Sequence, residues 1–289
     1  MGVEVFFVIS GFVIPYSMTR GGYCFPRHVG PYLLKRFIRL EPPYLVAIAI
    51  TFALWYASSK VPGFRGTPMQ IDMQQLFYHL GYLAAFFDYP WVIPVFWSLA
   101  IEFQFYFVLA FLFPLLMSKS ATMRLAALAI FMALGLLIPS KIGVFSYASL
   151  FAMGIVTLWK HEAMVSDVTY YVLLAVIAVA GAQFFPWSIM LVTFGTSLAI
   201  AHLDLPATPV FTRLGAISYS LYLMHVPIGG RVVNLGSRYA EGVVAECVVL
   251  AMALATSVAA AYVMFRYVER PAQRLSSRVR YLHFDTRPS

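Results

Sequence analysis

The chain has 289 residues, of which 61% are hydrophobic and only 11% are charged, whereas an ordinary soluble domain carries about 25% charged residues. This composition excludes a soluble globular protein, because too few polar residues are present to build a water-facing surface. The formal net charge of +8 would suit nucleic-acid binding, but its distribution along the chain is better explained by membrane topology, so no nucleic-acid partner is expected.

Long unbroken apolar runs predict membrane-spanning helices, since barrel strands would alternate polar and apolar residues. We expect an all-α, polytopic transmembrane bundle of about nine spans, each near the roughly 20 residues that a bilayer requires. The predicted spans are 2–18, 42–57, 95–117, 123–139, 144–160, 168–185, 188–203, 214–230 and 243–266. The apolar stretch 74–87 is interrupted by His79 and Gly81 and is predicted to be a re-entrant or interfacial helix.

Domain organisation is predicted to be simple. Residues 1–269 are interpreted as one membrane domain and 270–289 as a short basic cytoplasmic tail. The two cysteines, Cys24 and Cys247, have no metal-ligand spacing. Neither a metal site nor a disulfide framework is therefore expected.

Lysine and arginine predict the orientation, because basic residues concentrate on the cytoplasmic side. One cluster is Arg20, Arg27, Lys35, Arg36 and Arg39, and the other is Arg266, Arg270, Arg274, Arg278, Arg280 and Arg287. With both clusters inside, Lys119, Arg124, Lys160 and Arg213 also fall inside, and Lys60, Arg65, Lys141, Arg231 and Arg238 fall outside. The bias predicts a multi-pass membrane protein with a cytoplasmic C-terminus.

Ionisable residues inside a span are costly, so each one needs a reason. Ser98, Glu102 and Tyr106 recur every four residues and share one helical face, which predicts a polar cavity. A functional role for Glu102 and a structural role, paired with an arginine of a neighbouring helix, both remain open. Glu4 lies at the outer end of the first span and is either functional or only interfacial.

A second polar stripe is formed by Ser218, Tyr222 and His225, which can share one face of their span. His225 is interpreted either as a hydrogen-bonding residue between helices or as a catalytic group.

Unlike the two polar stripes, the motif Lys35-Arg36, followed by Arg39 one helical turn later, is strongly basic. Guanidinium groups bind phosphate in a bidentate manner, so the motif is a candidate phosphate site at the cytoplasmic mouth of the bundle. The alternative is a topology signal that contacts lipid head groups. The pair Pro42-Pro43 is predicted to set the entry into the next span.

Five ordered patches together resemble the membrane-bound acyltransferase 3 family, bacterial O-acetyltransferases of surface glycans, and this resemblance implies a location in the bacterial inner membrane. The patches are Gly2–Phe12, Lys35–Tyr44, Trp97–Tyr106, Ile217–His225 and Val268–Pro271. Each patch alone is a weak apolar string, but their order across nearly the whole chain is specific.

The resemblance implies that an acyl-CoA docks from the cytoplasm and passes its acyl group to a hydroxyl of a glycan or lipid-linked sugar. Lys35, Arg36 and Arg39 would hold the coenzyme phosphates, which favours the phosphate interpretation of that motif. Glu102, with Gln104 and Tyr106, matches a second family motif. Glu4 stands where the family usually has Asp. The predicted topology places Glu4, Glu102 and His225 in the outer half of the membrane.

This chain departs from the family pattern at the residue expected to be the general base. The family carries a histidine on a helix before the patch that begins at Gly2, and that helix is not seen here. The predicted topology also places Met1 outside the cell with no preceding span. We therefore expect a misassigned start or a truncated gene, with His225 as the fallback base. A non-enzymatic transporter or degenerate scaffold is the alternative to an acyltransferase.

Overall fold

The computed structural model describes residues 2–60, 72–138, 143–204, 206, 208–279 and 281. These residues are largely helical, and none of them forms a β-strand, so the all-α prediction is confirmed. The α-helices are α1 (Gly2–Arg20), α2 (Val29–Ser59), α3 (Met73–Leu80), α4 (Phe96–Leu116), α5 (Ala121–Leu137), α6 (Ala148–His161), α7 (Asp167–Gly181), α8 (Trp187–His202), α9 (Pro209–Met224), α10 (Gly230–Gly236), α11 (Val243–Met264) and α12 (Arg270–Arg278).

Short non-α turns interrupt this pattern. Two 3₁₀ turns cover Ala84–Phe87 and Val144–Tyr147, and two π-helical turns cover His225–Gly229 and Phe265–Glu269. The π turns lie inside otherwise continuous helix, so the predicted last two spans run on to Gly236 and Arg278.

Length and hydropathy support several membrane spans. Four described helices are long and apolar enough to cross a bilayer, namely Gly2–Arg20, Val29–Ser59, Phe96–Leu116 and Val243–Arg278. Three shorter apolar helices are Ala121–Leu137, Asp167–Gly181 and Trp187–His202. The chain is thus a multi-pass membrane protein, while the number of nine spans stays a prediction.

The second helix corrects the expected role of Pro42-Pro43. These prolines do not begin a helix, because α2 begins at Val29 and continues through both of them. Proline removes a backbone donor but is tolerated in membrane helices where neighbouring groups satisfy the weakened backbone. Here the Tyr219 hydroxyl donates to the carbonyl of Leu40 at 2.9 Å, directly beside the prolines.

The apolar stretch 74–87 is not one helix. Asp72 caps the start of α3 by accepting from the Gln74 N–H at 2.8 Å, α3 ends at Leu80, and a 3₁₀ turn follows from Ala84. Eight residues at about 1.5 Å rise each cannot cross a bilayer, so α3 fits the expectation of a non-spanning segment.

The predicted cytoplasmic tail is helical at its start, because α12 occupies Arg270–Arg278. Met1, Arg65, Lys141, Arg280 and Arg287, which enter the predicted topology, lie outside the described residues. The boundary between a membrane domain at 1–269 and a tail at 270–289 stays a prediction.

The chain divides into two compact units. The first comprises Met1–Leu33, Ser98–Leu205 and Tyr281–Ser289, and the second comprises Leu34–Trp97 and Pro206–Arg280. Helix α6 is the centre of the first unit, because every residue from Ala148 to Trp159 is buried. In the second unit α9 packs against α11, and the two π turns pack beside α11 as well.

Candidate active site

A buried polar cluster surrounds Glu102 in the first unit. Its side chain is 7% exposed, and one carboxylate oxygen accepts hydrogen bonds from Tyr106 Oη at 2.8 Å and Ser10 Oγ at 3.4 Å. Tyr106 lies one turn along α4, and Ser98 on the same stripe is fully buried. Ser10 comes from α1, so the cluster joins α1 to α4. Hydroxyl groups, rather than a guanidinium, make these contacts.

Gln104 and Glu4 both lie near the 3₁₀ turn Val144–Tyr147 in the same unit. Gln104 Oε1 accepts from the Val144 N–H at 2.9 Å, which holds the start of that turn. Glu4 acts electrostatically on Tyr147 at its end. Glu4 also occupies the first turn of α1, where the helix dipole favours a carboxylate. Gln104 therefore has a structural contact in addition to its predicted place in a polar cavity.

The basic motif lies on α2 in the second unit. Lys35 and Arg36 are half-buried and Arg39 is exposed. Helix α12 contacts the motif through Ser276, whose Oγ donates to the carbonyl of Lys35 at 2.8 Å. An exposed guanidinium is available to an anionic ligand, as the phosphate interpretation requires.

Sequence reasoning missed the role of Glu269. This residue is 2% exposed, and its carboxylate accepts from Ser220 Oγ at 2.5 Å and from Gln273 Nε2 at 2.8 Å. It also acts electrostatically on Arg39. Three of the five sequence patches therefore converge here. The available signal was an acidic residue in an apolar helix before Arg270-Pro271.

His225 opens one of the two π-helical turns. Its Nδ1 lies 2.7 Å from the carbonyl of Tyr222 and 3.2 Å from that of Leu221. Carbonyls only accept, so Nδ1 carries the proton and Nε2 is left as an acceptor. The structure brings Ser218, Tyr222 and His225 to one open groove, as their spacing predicts.

The π-helical turns coincide with candidate residues in both instances. The first turn begins at His225 and the second ends at Glu269. Single π turns inside α-helices recur at functional sites, because the extra residue turns a side chain away from the regular helical face. The coincidence supports a functional role for these two positions.

A second feature that sequence reasoning missed is the cluster of Glu41, Tyr44 and Tyr82. All three side chains are buried. Tyr82 interacts with the Glu41 carboxylate, yet neither carboxylate oxygen nor the Tyr44 hydroxyl has a hydrogen bond of good geometry to the described residues. Burial also raises the pKa of Tyr82, which lies in the segment after α3. Two members of this cluster, Glu41 and Tyr44, lie within five residues of Arg39 along α2.

The predicted site residues are thus distributed over both units. Glu4, Ser98, Glu102, Gln104 and Tyr106 lie in the first, and Lys35, Arg36, Arg39, Ser218, Tyr222 and His225 lie in the second. The expected convergence of Glu4, Glu102 and His225 stays a prediction. Cys24 and Cys247 are both free and exposed, and no cluster of three metal-binding side chains occurs among the described residues.

Comparisons with known proteins support the resemblance given by the sequence, and the residues matched include four of the five sequence patches. A protein-family model described as an acyltransferase domain matches residues 1–265. The chain is 28% identical over 261 residues to a protein of Komagataeibacter xylinus named "Putative membrane-bound transacylase BcsY". That similarity covers 78% of this chain and 65% of the relative, so the chain spans less than two thirds of the relative's length. No solved structure matches the chain significantly.

Proposed function

Because this chain belongs to the membrane-bound acyltransferase 3 family, we propose that it is an integral membrane O-acyltransferase. It moves an acyl group, acetyl in the simplest case, from acyl-CoA to a hydroxyl of a surface glycan or lipid-linked sugar. The observation that carries the proposal is the family match over residues 1–265. The printed name of the relative, a membrane-bound transacylase, supports the same class of reaction.

Arg36 and Arg39, with Lys35, bind the phosphates of the acyl-CoA donor in this proposal. Two guanidinium groups one helical turn apart can each form paired hydrogen bonds to a phosphate. The buried carboxylate of Glu269 also attracts Arg39 electrostatically. Acyl-CoA is a substrate in this proposal, coenzyme A is released as a product, and the proposed step involves no metal.

The transfer step needs a base and a polar environment. The acceptor oxygen attacks the thioester carbon, the C–S bond breaks, and the base passes the acceptor's proton to the departing thiolate. The resemblance assigns the base to a histidine on a helix before α1, and His225 is the alternative within these residues. Glu102, held by Ser10 and Tyr106, is a buried hydrogen-bond acceptor that can orient a reacting hydroxyl.

The proposed location is a bacterial inner membrane, with both basic clusters and the C-terminus in the cytoplasm. This orientation gives Arg36 and Arg39 access to cytoplasmic acyl-CoA.

A non-enzymatic transporter or scaffold is the second candidate. The observation in its favour is that Glu102 and Glu269 place buried carboxylates in apolar helices, as ion and substrate pathways also do. If the chain is a transporter or a scaffold, its function should not depend on acyl-CoA.

The test uses membranes carrying the complete reading frame that contains these residues, supplied with radiolabelled acetyl-CoA. We expect label in the glycan or lipid-linked sugar fraction. We expect the double variant Arg36→Ala/Arg39→Ala to raise the KM for acetyl-CoA by at least about 100-fold, since each charged hydrogen bond contributes about 1.5–3 kcal/mol. Arg213→Ala is the matched control, because Arg213 is an exposed arginine of the same unit. Equal KM values in both variants would exclude the phosphate role, and no transfer at all would favour the transporter.

A further inference from the structure

An open groove runs along the second unit between α9, α10 and α11. Its volume is about 740 Å³, within the roughly 300–1,000 Å³ typical of small-molecule sites. Apolar side chains that include Leu214, Leu221, Val233 and Leu254 make up most of its wall. Both Leu214 and Leu254 are exposed, so the groove can accept an aliphatic chain.

The hydroxyl donors of the groove are already committed to the backbone. Ser218 Oγ donates to the carbonyl of Gly215 at 2.8 Å, Tyr222 Oη to that of Val95 at 2.5 Å and Ser257 Oγ to that of Ala253 at 2.6 Å. None of the described residues that line the groove is a lysine or an arginine. A ligand head group that only accepts hydrogen bonds, such as an ester, a phosphate or a carboxylate, therefore finds no free side-chain donor or cation here.

His225 offers the groove a hydrogen-bond acceptor rather than a donor. Its Nδ1 is turned to the carbonyls of Tyr222 and Leu221, so the proton is on Nδ1 and the Nε2 edge faces away from its own helix. His225 begins the π-helical turn and is one of the residues that line the groove. Nε2 accepts a hydrogen bond, so the complementary ligand carries a donor.

We infer that this groove binds a neutral aliphatic alcohol, with the alkyl chain along the apolar wall and the hydroxyl donating to His225 Nε2. A long-chain alcohol or a lipid with a neutral hydroxyl head fits this chemistry, whereas an acyl thioester does not, because it has no donor. The inference concerns binding alone and does not depend on acyl transfer.

Gly230 provides a direct way to fill the groove. It lines the groove in a helical conformation, and a Cβ added there meets nothing within 4 Å. Gly195 on α8, in the first unit, is the matched control, since a Cβ added there also meets nothing within 4 Å. Gly230→Leu and Gly195→Leu thus add the same side chain to two open helical positions.

The experiment uses purified full-length protein in detergent and a photoreactive analogue of hexadecanol with a mid-chain diazirine. Cross-linked peptides are mapped, and two competitors are compared: hexadecanol and its methyl ether, which keeps the chain but lacks the donor. We expect cross-links on Pro209–Met224 and Val243–Met264, and hexadecanol competing about three- to tenfold better than the ether, as one hydrogen bond allows.

The variants test separately whether the groove is the binding site and whether His225 accepts the hydrogen bond of the alcohol. His225→Phe keeps an apolar ring but removes the acceptor, so we expect hexadecanol and its ether to compete equally. Gly230→Leu should abolish the specific cross-links and Gly195→Leu should leave them unchanged. Equal competition in the unaltered protein would refute the role of His225. Cross-links spread evenly over all lipid-facing helices, or unchanged by Gly230→Leu, would refute the groove as a site.

Discussion

Three buried carboxylates are stabilised to very different extents. Glu102 accepts from two hydroxyl groups and Glu269 from a hydroxyl and an amide. Glu41, by contrast, has no hydrogen bond of good geometry to the described residues. A buried polar group without a partner costs about 1–3 kcal/mol, and such costs are retained mainly where function requires them.

Glu41→Gln is therefore expected to stabilise the protein. The substitution replaces a buried carboxyl group that lacks a hydrogen bond of good geometry, and the new amide can donate to the Tyr44 hydroxyl, which has no good partner among the described residues. We expect the free energy of unfolding in detergent to rise by about 1–3 kcal/mol, measured by thermal or denaturant unfolding.

The control for this prediction is Glu246→Gln, because Glu246 is exposed in the first turn of α11. It should change stability little. If Glu41→Gln were destabilising, the carboxylate would have to be satisfied in the native protein by a bound water or ligand. Loss of acyl transfer together with a gain in stability would place Glu41 in the functional site.

At the scale of elements, the main feature of the first unit is the close packing of helices α1 and α6. Helices α1 and α6 approach each other at glycines, because a Cβ added at Gly154 would lie 2.1 Å from the Val8 carbonyl oxygen and one at Gly11 would lie 2.2 Å from that of Phe151. Small residues that let backbones approach are characteristic of membrane helix interfaces. The motif Ser10-Gly11 thus serves packing as well as the Glu102 cluster.

Gly154→Ala should consequently destabilise the first unit. The added methyl group meets backbone rather than a flexible side chain, so the helices must separate, at a cost of about 1–3 kcal/mol or more. Thermal unfolding in detergent measures the effect. Gly195→Ala is the matched control and should be neutral or slightly stabilising, since its Cβ meets nothing within 4 Å. Equal stability of the two variants would contradict the close approach of α1 and α6.

The segment after α3 is held by one histidine. His79 is fully buried, its Nδ1 lies 2.8 Å from the Gln75 carbonyl, and its Nε2 accepts from the Val92 N–H at 3.0 Å. This arrangement requires the neutral ring with the proton on Nδ1. Burial accordingly lowers the pKa of His79 below its usual value of 6.5.

Acidification should loosen this segment. A histidine whose pKa is lower in the folded state stabilises the fold above its unfolded pKa of about 6.5, and that contribution is lost as the pH falls below it. We expect hydrogen exchange at Val92 and its neighbours, corrected for the intrinsic rate, to be faster at pH 5 than at pH 7.

His79→Phe is the control for the pH effect. It removes the titratable ring while keeping an aromatic side chain beside Trp91, whose ring centroid lies 5.3 Å from that of His79. The pH dependence of exchange should disappear in this variant. The same response in both proteins would assign the effect to another group.

At the scale of the whole molecule, the charge distribution predicts one orientation, with Cys24 in the cytoplasm and residues 230–242 outside. Both native cysteines are exposed, and Ser237 is exposed in the connection between α10 and α11. The positive-inside rule can therefore be tested with single thiols.

In spheroplasts, we expect a membrane-impermeant maleimide to label a Ser237→Cys/Cys24→Ser/Cys247→Ser variant. A Cys247→Ser variant, which keeps only Cys24, should be labelled only after the membrane is permeabilised. Gel shift or mass spectrometry measures the labelled fraction. The reverse pattern would invert the topology and remove Arg36 and Arg39 from cytoplasmic acyl-CoA.

The amino-acid sequence by itself determined the class of protein and much of its helical order. With 11% charged residues the chain has no means to cover a soluble surface, and the four-residue spacing of Ser98, Glu102 and Tyr106 places them on one face because a helix has about 3.6 residues per turn. The ordered patches indicated the family, which the match over residues 1–265 confirmed.

Only the tertiary structure decided which distant residues meet. The contact of Glu269 with Ser220 joins positions 49 residues apart, and that of Glu102 with Ser10 joins positions 92 apart, and local periodicity carries no information at such separations. The continuation of α2 through Pro42-Pro43 also depended on its surroundings, since proline favours a helix break unless neighbouring groups support the backbone. The two π-helical turns were likewise not predicted from the sequence, since such turns are rare and are recognised from the structure.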